Sequence, residues 1–332
     1  MKELLNRLIH HEQLAKEEAR DVLVAISEGK FNQSQIAAFL TVYMMRSVTL
    51  DELIGFREAL LDLCIEIALD EYNTIDLCGT GGDGKNTFNI STLASFVTAG
   101  AGVLVTKHGN YGVSSISGSS NVMEALGVTF SNDEGHLKRC LEQAGICILH
   151  APLFHPAMKH VAPIRRELAV KTFFNMLGPM VNPARPKNQL VGVYDLELAR
   201  LYGYIYQKSN TNYTIVHAMD GYDEISLTGP AKVITRNTET ILHASDFNVT
   251  TLAAHEIYGG SSVKESAQLF MDILEGKGTV AQHTVVCANA ALAIAEMEQC
   301  SLTEGFEKAT YALDSGKALQ CLQQLQHLTK GL

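Results

Sequence analysis

The 332-residue sequence has no tryptophan, only seven prolines and no run of 18 consecutive apolar residues. The missing apolar run predicts that no helix spans a membrane. The amphipathic N-terminal stretch is interrupted by charges, which predicts no secretory signal. Hydrophobic residues make up 46% of the chain and charged residues 19%, as is typical of a folded protein with one large or two medium domains.

Cysteine and positive charge are also limited. Seven cysteines are scattered along the chain without any Cys-x-x-Cys spacing, so we expect reduced thiols in a cytoplasm rather than a disulfide framework or a zinc knuckle. Lysine and arginine total 26 against 36 acidic residues, which gives a net charge of −10. This balance disfavours a sequence-independent nucleic-acid surface. We therefore predict neither a nucleic-acid nor a membrane partner.

Glycine is concentrated at one point, GTGGDGKNTFNIST (residues 79–92), which has four glycines in its first six residues. Glycines at this density let backbone N–H groups converge on one point. The polar residues that follow mark a predicted helix start, whose free N–H groups and partial positive charge also attract anions. The pattern predicts an anion pocket, and phosphate is the anion that it favours.

Two common motifs and one unspecific interpretation compete for this stretch. The G-x-G-x-x-G spacing from Gly79 fits a dinucleotide fingerprint, but the next strand leads to Lys107 where that motif requires an acid. The same glycines followed by Lys85 resemble a P-loop, but Asn86 stands where Ser or Thr is required. A flexible turn without function is the third interpretation.

The order of elements predicts the fold class. Residues 1–66 carry apolar residues at helical spacing, and from Asn73 short strands alternate with helices, which is typical of a parallel sheet. The predicted strands are 75–78, 103–106, 146–150, 189–194, 213–219 and 231–236. The predicted helices are 92–101, 121–126, 134–144, pieces of 152–178, 196–208 and a series from Ser262 onward.

We therefore predict an α/β protein with a small N-terminal helical domain and a larger α/β domain, whose mostly parallel central sheet is flanked by helices. The helical domain is expected to span residues 1–70, completed by helices from about 160–185. The α/β domain, expected to bind phosphate, comprises 71–159 and 186–332. Because ligands of such sheets bind at the carboxyl ends of the strands, we expect the site to lie in the loops after Cys78, Thr106, His150 and Met219.

The second of these loops, residues 107–120, contains a lysine, five serines and three glycines. Lysine, hydroxyl and backbone N–H groups together suit multidentate binding of phosphate oxygens. Taken alone, the loop could also be a mobile Ser/Gly segment. Its position after a strand adjacent to the glycine-rich stretch favours the phosphate interpretation.

The third loop leads to His155, His160 and Arg165. Arg165 could offer a bidentate fork to a carboxylate, or it could be a surface residue paired with Glu167. The two histidines are five residues apart and off one helical face, so a zinc pair is not expected.

The fourth loop carries DGYDE, with adjacent carboxylates at Asp223 and Glu224. Such acidic turns are commonly solvated, but beside several phosphates they become anchors for magnesium, which prefers a few carboxylates together with phosphate oxygens and water. The sequence shows no Ser-His-Asp order and no activated cysteine, so no covalent nucleophile or general base is assigned.

Several motifs together resemble one family. The segments GTGGDGKNTFNIST, KHGN with SSISGSS, HPAMKHVAPIRREL, FFNMLGPMVNPA and DGYDE are similar, in this order, to the anthranilate phosphoribosyltransferase family, most strongly over residues 70–230. These enzymes join anthranilate to 5-phosphoribosyl-1-pyrophosphate (PRPP) and release pyrophosphate in tryptophan biosynthesis. The resemblance implies a transferase with these two substrates, assisted by magnesium, that forms a homodimer.

The resemblance also implies roles for individual residues. PRPP would be bound by Gly79, Gly82, Asp83, Thr87, Asn89, Ile90, Ser91, Thr92, Lys107, His108, Gly109, Asn110, Tyr111, Gly112, Val113, Ser114, Ser115 and Ser119. Two Mg²⁺ ions per subunit would be held by Ser91, Asp223 and Glu224. Anthranilate would contact Gly79, His108, Asn110 and Arg165.

One departure and two alternatives remain. Many members of the family have Arg and then Ser after KHGN, whereas this chain has Tyr111 and Gly112, which puts one phosphate contact in doubt. A pyrimidine nucleoside phosphorylase or a related transferase would share the fold, but a phosphorylase needs a single phosphate and no metal pair. A nucleic-acid-binding relative should show a basic cleft without the metal carboxylates.

Overall fold

The computed structural model describes residues 1–112 and 116–331. Its α-helices are α1 (Lys2–Ile9), α2 (Lys16–Ser27), α3 (Gln33–Met45), α4 (Leu50–Asp62), α5 (Ile90–Gly100), α6 (Ser119–Ala125), α7 (Glu134–Ala144), α8 (Ala151–Phe154), α9 (Ala162–Leu168), α10 (Phe174–Leu177), α11 (Leu196–Gln207), α12 (Val263–Leu274), α13 (Val280–Glu298), α14 (Leu302–Asp314) and α15 (Lys317–Thr329). Short 3-10 helices are formed by Pro156–His160, Gly178–Met180, Ala244–Phe247 and Ala254–Ile257.

One sheet organises the larger part of the protein. Its strands are β1 (Ile75–Gly79), β2 (Val105–Gly109), β3 (Ile146–His150), β4 (Asn188–Gly192), β5 (Asn212–Ala218), β6 (Ala231–Thr235) and β7 (Glu239–Leu242). The spatial order is β3-β2-β1-β4-β5-β6-β7, with parallel pairing from β3 to β5 and antiparallel pairing at β6 and β7. The chain builds outward from β1 to β3 and then returns to β4 on the other side of β1. This reversal opens a crevice at the carboxyl ends of the central strands, where such folds bind ligands.

The two faces of the sheet contribute to two hydrophobic clusters. Neighbouring strand residues point to opposite faces, so Leu190 packs with one cluster and Val191 with the other. The first cluster includes the buried faces of α5 and α13, and the second joins the sheet to α1–α4 and α11. Phe173 belongs to the second cluster and stacks on Phe56 with 4.5 Å between ring centroids, so the 160–185 segment packs on the N-terminal helices.

The predicted fold class, a helical N-terminal part with a mostly parallel α/β sheet, is confirmed. Strand β2 differs from the prediction: it was expected at 103–106 but spans Val105–Gly109, so Lys107 and His108 lie inside the sheet. Their polar groups find hydrogen-bond partners on β1, which local sequence does not reveal. Strand β7 and the 3-10 helices at Ala244–Phe247 and Ala254–Ile257 were not predicted; β7 is a short edge strand with little buried surface.

Helix α13 bears on the prediction that no helix spans a membrane. Over the described residues it is the one helix that is long and apolar enough to cross a membrane by length and composition. However, 67% of its apolar window is buried inside the protein, as in the core helix of a soluble fold. The helix begins at the protein surface with a capping box. In this box the side chains of Thr279 and Gln282 each accept a hydrogen bond from the other residue's backbone N–H.

Candidate active site

The four predicted loops meet in one cleft of about 270 Å³ at the carboxyl ends of the strands. The cleft is lined by most of the predicted residues: Gly79, Gly82, Asp83, Thr87, Asn89, Ser91, Thr92, Lys107, His108, Gly109, Asn110, Tyr111, Gly112, Ser119, Arg165, Asp223 and Glu224. Ile90 does not line it, because its side chain is fully buried in the core and its N–H donates to the Phe88 carbonyl. Val113, Ser114 and Ser115 lie outside the described residues.

The glycine-rich turn after β1 folds around a carboxylate. Gly81 and Gly82 have φ values of 64° and 76°, a left-handed conformation that favours glycine. The Gly81 N–H donates to Asp223 Oδ2 at 2.6 Å, and a Cβ on Gly79 would collide with the same carboxylate. The turn and the acidic loop after β5 therefore form a single unit, although Gly81 and Asp223 are 142 residues apart in the chain.

Three carboxylates converge beside this turn. Glu224 Oε1 accepts the Ser91 N–H at 3.0 Å, at the start of α5, where the helix N-terminus stabilises negative charge. Burial raises the pKa of Asp223 from 3.8 to about 7, and the negative charge of Asp83 adds to this effect. Burial, together with the negative charges of Asp223 and Asp83, also raises the pKa of Glu224. Asp83 Oδ2 is buried without a hydrogen-bond partner among the described residues.

Such a cluster fits a divalent cation. Desolvated carboxylates that repel one another are stabilised when a cation binds between them. Within residues 1–112 and 116–331, no three or more His, Cys, Asp or Glu side chains are grouped so that they could hold a metal ion by themselves. A cation held by Asp223 and Glu224 would therefore need further ligands such as substrate oxygens, the coordination that magnesium favours. Ser91, whose N–H donates to Glu224, lines the same cleft.

Lys107 reaches the cleft from within the sheet. Its side chain is 2% exposed, and Nζ donates to the Leu77 carbonyl on β1 at 2.6 Å. Beside it, the fully buried Asp76 accepts hydrogen bonds from the His108 N–H and from Asn182 Nδ2, at 3.2 and 2.9 Å. Burial raises the pKa of Asp76 to about 6, an effect that Lys107 opposes. Asp76 was missed by sequence analysis; an acid within an apolar strand was its signal.

A second, more apolar cavity of about 600 Å³ adjoins the cleft and shares Asn110, Tyr111, Arg165 and Phe174 with it. Arg165 is 9% exposed, so it is not the surface partner of Glu167 that one interpretation allowed. Its Nη2 donates to Asn175 Oδ1 at 3.1 Å, and its guanidinium lies 5.4 Å from the Phe174 ring centre. Burial lowers the pKa of Arg165 to about 10, so the side chain remains charged at neutral pH.

Two buried histidines also line this cavity. The rings of His108 and His155 are 5.4 Å apart between centroids, and His108 Nδ1 donates to the Gly178 carbonyl at 3.1 Å. The remaining ring nitrogens have no hydrogen-bond partner among the described residues. Burial lowers the pKa of His108 to about 3 and that of His155 to about 4, so both are neutral. His155 was noted in the sequence only as half of a rejected zinc pair.

These histidines should make stability fall in mild acid. Each binds its proton more weakly in the folded chain than in the unfolded chain, where the pKa is about 6.5. Their stabilising contribution is therefore present above pH 6.5 and is lost as pH falls toward 3 to 4. Urea denaturation of the protein and of a His108→Gln/His155→Gln variant at pH 7.5 and 5.0 tests this. The variant should lose less stability between the two pH values; an equal loss would contradict the prediction.

The described residues provide no activated nucleophile at the cleft. The most suggestive arrangement elsewhere is Cys287, whose Sγ lies 3.8 Å from His283 Nδ1, while His283 Nε2 bonds to Asp314 at 2.8 Å. Burial raises the pKa of the Cys287 thiol to about 12, so it is protonated and unreactive at neutral pH.

Comparison with known protein families identifies the general class to which this chain belongs. Residues 2–64 match "Glycosyl transferase family, helical bundle domain" and residues 71–319 match "Glycosyl transferase family, a/b domain". Together these matches cover most of the chain and define a glycosyl transferase with a helical and an α/β part.

Individual relatives narrow this class. The chain is 67% identical to the anthranilate phosphoribosyltransferase of Flavobacterium johnsoniae over 329 residues, which cover 99% of this chain and 100% of the relative. The crystal structure of the Thermus thermophilus anthranilate phosphoribosyltransferase is 31% identical, with a TM-score of 0.89 over 98% of this chain and 99% of that one. The Saccharomyces cerevisiae enzyme in complex with PRPP and Mg is 26% identical, with a TM-score of 0.90 over 99% and 97%. The chain belongs to the anthranilate phosphoribosyltransferase family.

Proposed function

We propose that this chain transfers the phosphoribosyl group of PRPP to the amine of anthranilate, giving N-(5-phosphoribosyl)anthranilate and pyrophosphate in tryptophan biosynthesis. The observation that carries the proposal is the junction of two unlike cavities. One combines a glycine turn, the α5 N-terminus, Lys107 and the carboxylates, and the adjoining one is apolar and holds a buried arginine. The first suits a metal-bound polyphosphate, and the second suits an aromatic acid.

PRPP occupies the first cavity in this proposal. Its phosphate oxygens are bound by the N–H groups of the glycine turn other than that of Gly81, by the partial positive charge at the start of α5 and by the Lys107 ammonium. Asn89, Thr92 and Ser119 supply further polar groups at the cleft wall. All of these groups are held by the sheet or by helix starts, so little reorganisation is required when charge develops on the leaving pyrophosphate.

Two magnesium ions per subunit complete the pyrophosphate site. Asp223 and Glu224 hold them from the acidic loop, and the Ser91 hydroxyl adds a ligand from α5. Bound magnesium supplies neutralisation of the charge that develops on pyrophosphate as its bond to ribose breaks. The Gly81 N–H, through its hydrogen bond to Asp223, fixes the direction of that carboxylate.

Anthranilate occupies the apolar cavity. Arg165 binds its carboxylate. Anthranilate thereby supplies the acidic partner that the buried guanidinium lacks among the described residues. Asn110 and Gly79 contact the ring edge near ribose, and neutral His108 contacts the ring without adding charge. The orientation of the amine toward ribose C1 makes a large contribution, up to about 7–11 kcal/mol in the best intramolecular models.

The reaction needs no general base. The amine of anthranilate is a weak base, so its lone pair is free at neutral pH. After the new C–N bond has formed, the nitrogen loses one proton to solvent water or to the released pyrophosphate. The difficult event is cleavage of the C1–oxygen bond, which leaves positive charge on ribose and negative charge on pyrophosphate. Closure of the helical domain (1–70 with about 160–185) over the α/β domain (71–159 and 186–332) would exclude water from the activated ribose.

The proposal includes a cytoplasmic homodimer that works on small molecules only. A nucleoside phosphorylase of the same fold is disfavoured, because a single phosphate needs no cluster of Asp83, Asp223 and Glu224. A nucleic-acid-binding relative is disfavoured by the net charge of −10 and by these carboxylates.

The direct test is an assay of the purified protein with PRPP, anthranilate and MgCl₂, in which the fluorescent product is followed. We expect turnover that depends on both substrates and on magnesium. Thymidine or uridine with inorganic phosphate provides the phosphorylase comparison. Persistent inactivity with PRPP and anthranilate, or faster phosphorolysis of a nucleoside, would refute the proposed function.

A further inference from the structure

Helix α6 makes hydrogen bonds to the residues that directly follow β2. Asn121 Oδ1 accepts two backbone hydrogen bonds at 3.0 Å each, from the Gly112 N–H and from the Gly118 N–H. One amide oxygen therefore ties residues 112 and 118 together. A Cβ on Gly118 would collide with the Gly112 backbone, so this close approach requires glycine.

The same helix face carries a second anchor. Glu124 follows Asn121 by three residues, a spacing that places both on one side of a helix. Its Oε1 accepts the Tyr111 hydroxyl at 2.6 Å. The Tyr111 ring also meets His150 edge to face at 4.8 Å, and His150 in turn bonds to Ser120 at 2.8 Å. Tyr111 is therefore fixed at both its hydroxyl and its ring.

The fixed segment faces both cavities. Asn110, Tyr111 and Gly112 line the phosphate cleft and the apolar cavity, whereas Asn121 and Glu124 line neither. The Asn110 carbonyl accepts the Ser120 N–H at 3.1 Å, and the Asn110 side chain accepts the Tyr111 N–H at 2.8 Å. The geometry of the substrate-facing residues thus depends on contacts made behind them by α6.

We propose that Asn121 and Glu124 are positioning residues, which hold the segment from Asn110 to Gly112 in the shape that receives PRPP, Glu124 acting through Tyr111. This inference rests on the proposed function. It also gives Tyr111 a role that needs no positive charge: its hydroxyl anchors the backbone that lines the phosphate cleft.

Kinetics of matched variants test the two anchors. Asn121→Leu removes the shared acceptor, whereas Asn121→Asp retains an oxygen that accepts both N–H groups. We expect Asn121→Leu to raise the KM for PRPP roughly five- to tenfold, the effect of losing one or two hydrogen bonds, with kcat changed much less. Asn121→Asp should restore the KM to near that of the unchanged protein. An unaltered KM in Asn121→Leu, or an equal defect in Asn121→Asp, would overturn the proposal.

A double-mutant cycle tests the second anchor even if Asn121→Leu does not fold. Tyr111→Phe and Glu124→Ala should each raise the KM for PRPP, and the double variant should be no worse than either one. Tyr72→Phe is the matched control, because Tyr72 makes the same kind of bond to Glu142 on α7, away from the cleft. Additive effects, or an equal effect of Tyr72→Phe, would overturn the proposal.

The unchanged protein separates this inference from the proposed function. If it does not convert PRPP and anthranilate, the proposed function fails, and the positioning role fails with it. If it is active and the variants keep its KM, the positioning role alone is refuted.

Discussion

Asp223→Asn combined with Glu224→Gln is expected to lower kcat/KM by roughly 10²- to 10³-fold, measured at a MgCl₂ concentration that saturates the unchanged protein. This is the effect of removing a main electrostatic stabiliser of a developing anion. The two amides keep the size of the side chains but lose the negative charge that binds the cation. Raising MgCl₂ should restore activity only in part, because PRPP still carries magnesium into the cleft. Activity is measured across a MgCl₂ titration at fixed substrate.

The same variant should be at least as stable as the unchanged protein without magnesium. Burial and mutual repulsion raise the pKa values of both carboxyl groups above their ordinary values, so at pH 8 these two groups lower the stability of the metal-free fold. Thermal denaturation without magnesium therefore distinguishes loss of the cation site from unfolding. Asp220→Asn in the same loop is the control, because Asp220 bonds to Thr228 on the exposed side. Full activity in the double variant would contradict the metal assignment.

Much of this site was predictable because its signals are local. The glycines with positive φ and the residues that begin α5 both lie within residues 79–92. The alternation of strands and helices predicted the parallel sheet and hence the edge at which the loops meet. Those loops do form one cleft in the structure.

The remaining features depend on partners that are distant in the chain. The end of β2 was misplaced because the polar groups of Lys107 and His108 are satisfied by Leu77 and Asp76, about 30 residues away. The glycine-rich stretch was predicted to present backbone N–H groups to an anion, but the N–H of Gly81 is already bonded to Asp223. Only the register of β1 against its neighbours brings these groups together.

Arg165 was ambiguous in the sequence for a related reason. Its neighbours Arg166 and Glu167 suggested a surface ion pair, and local pattern cannot tell a buried guanidinium from an exposed one. In the structure α9 packs its Ile164 and Arg165 side inward, which places the arginine in the apolar cavity. Burial without a carboxylate partner among the described residues is what points to an acidic ligand.

Arg165→Ala is therefore expected to raise the KM for anthranilate about 10- to 100-fold, as for loss of a charge-assisted hydrogen-bonded pair of 1.5–3 kcal/mol. The KM for PRPP should change by no more than about threefold, because in the proposed binding mode the phosphates are held by the glycine turn and Lys107 rather than by Arg165. Arg165→Lys should be intermediate, since it keeps the charge but loses the planar fork. Both Michaelis constants are measured with the second substrate saturating.

The ratio of the two effects identifies the role of Arg165. If the arginine were structural, through its bond to Asn175, its loss would lower thermal stability and impair both substrates alike. Arg139→Ala, an exposed arginine on α7, controls for loss of one positive charge. If Arg165 binds the aromatic carboxylate, aniline, which lacks that group, should react poorly with the unchanged protein. The Arg165→Ala variant should then discriminate much less between anthranilate and aniline, and undiminished discrimination would contradict the assignment.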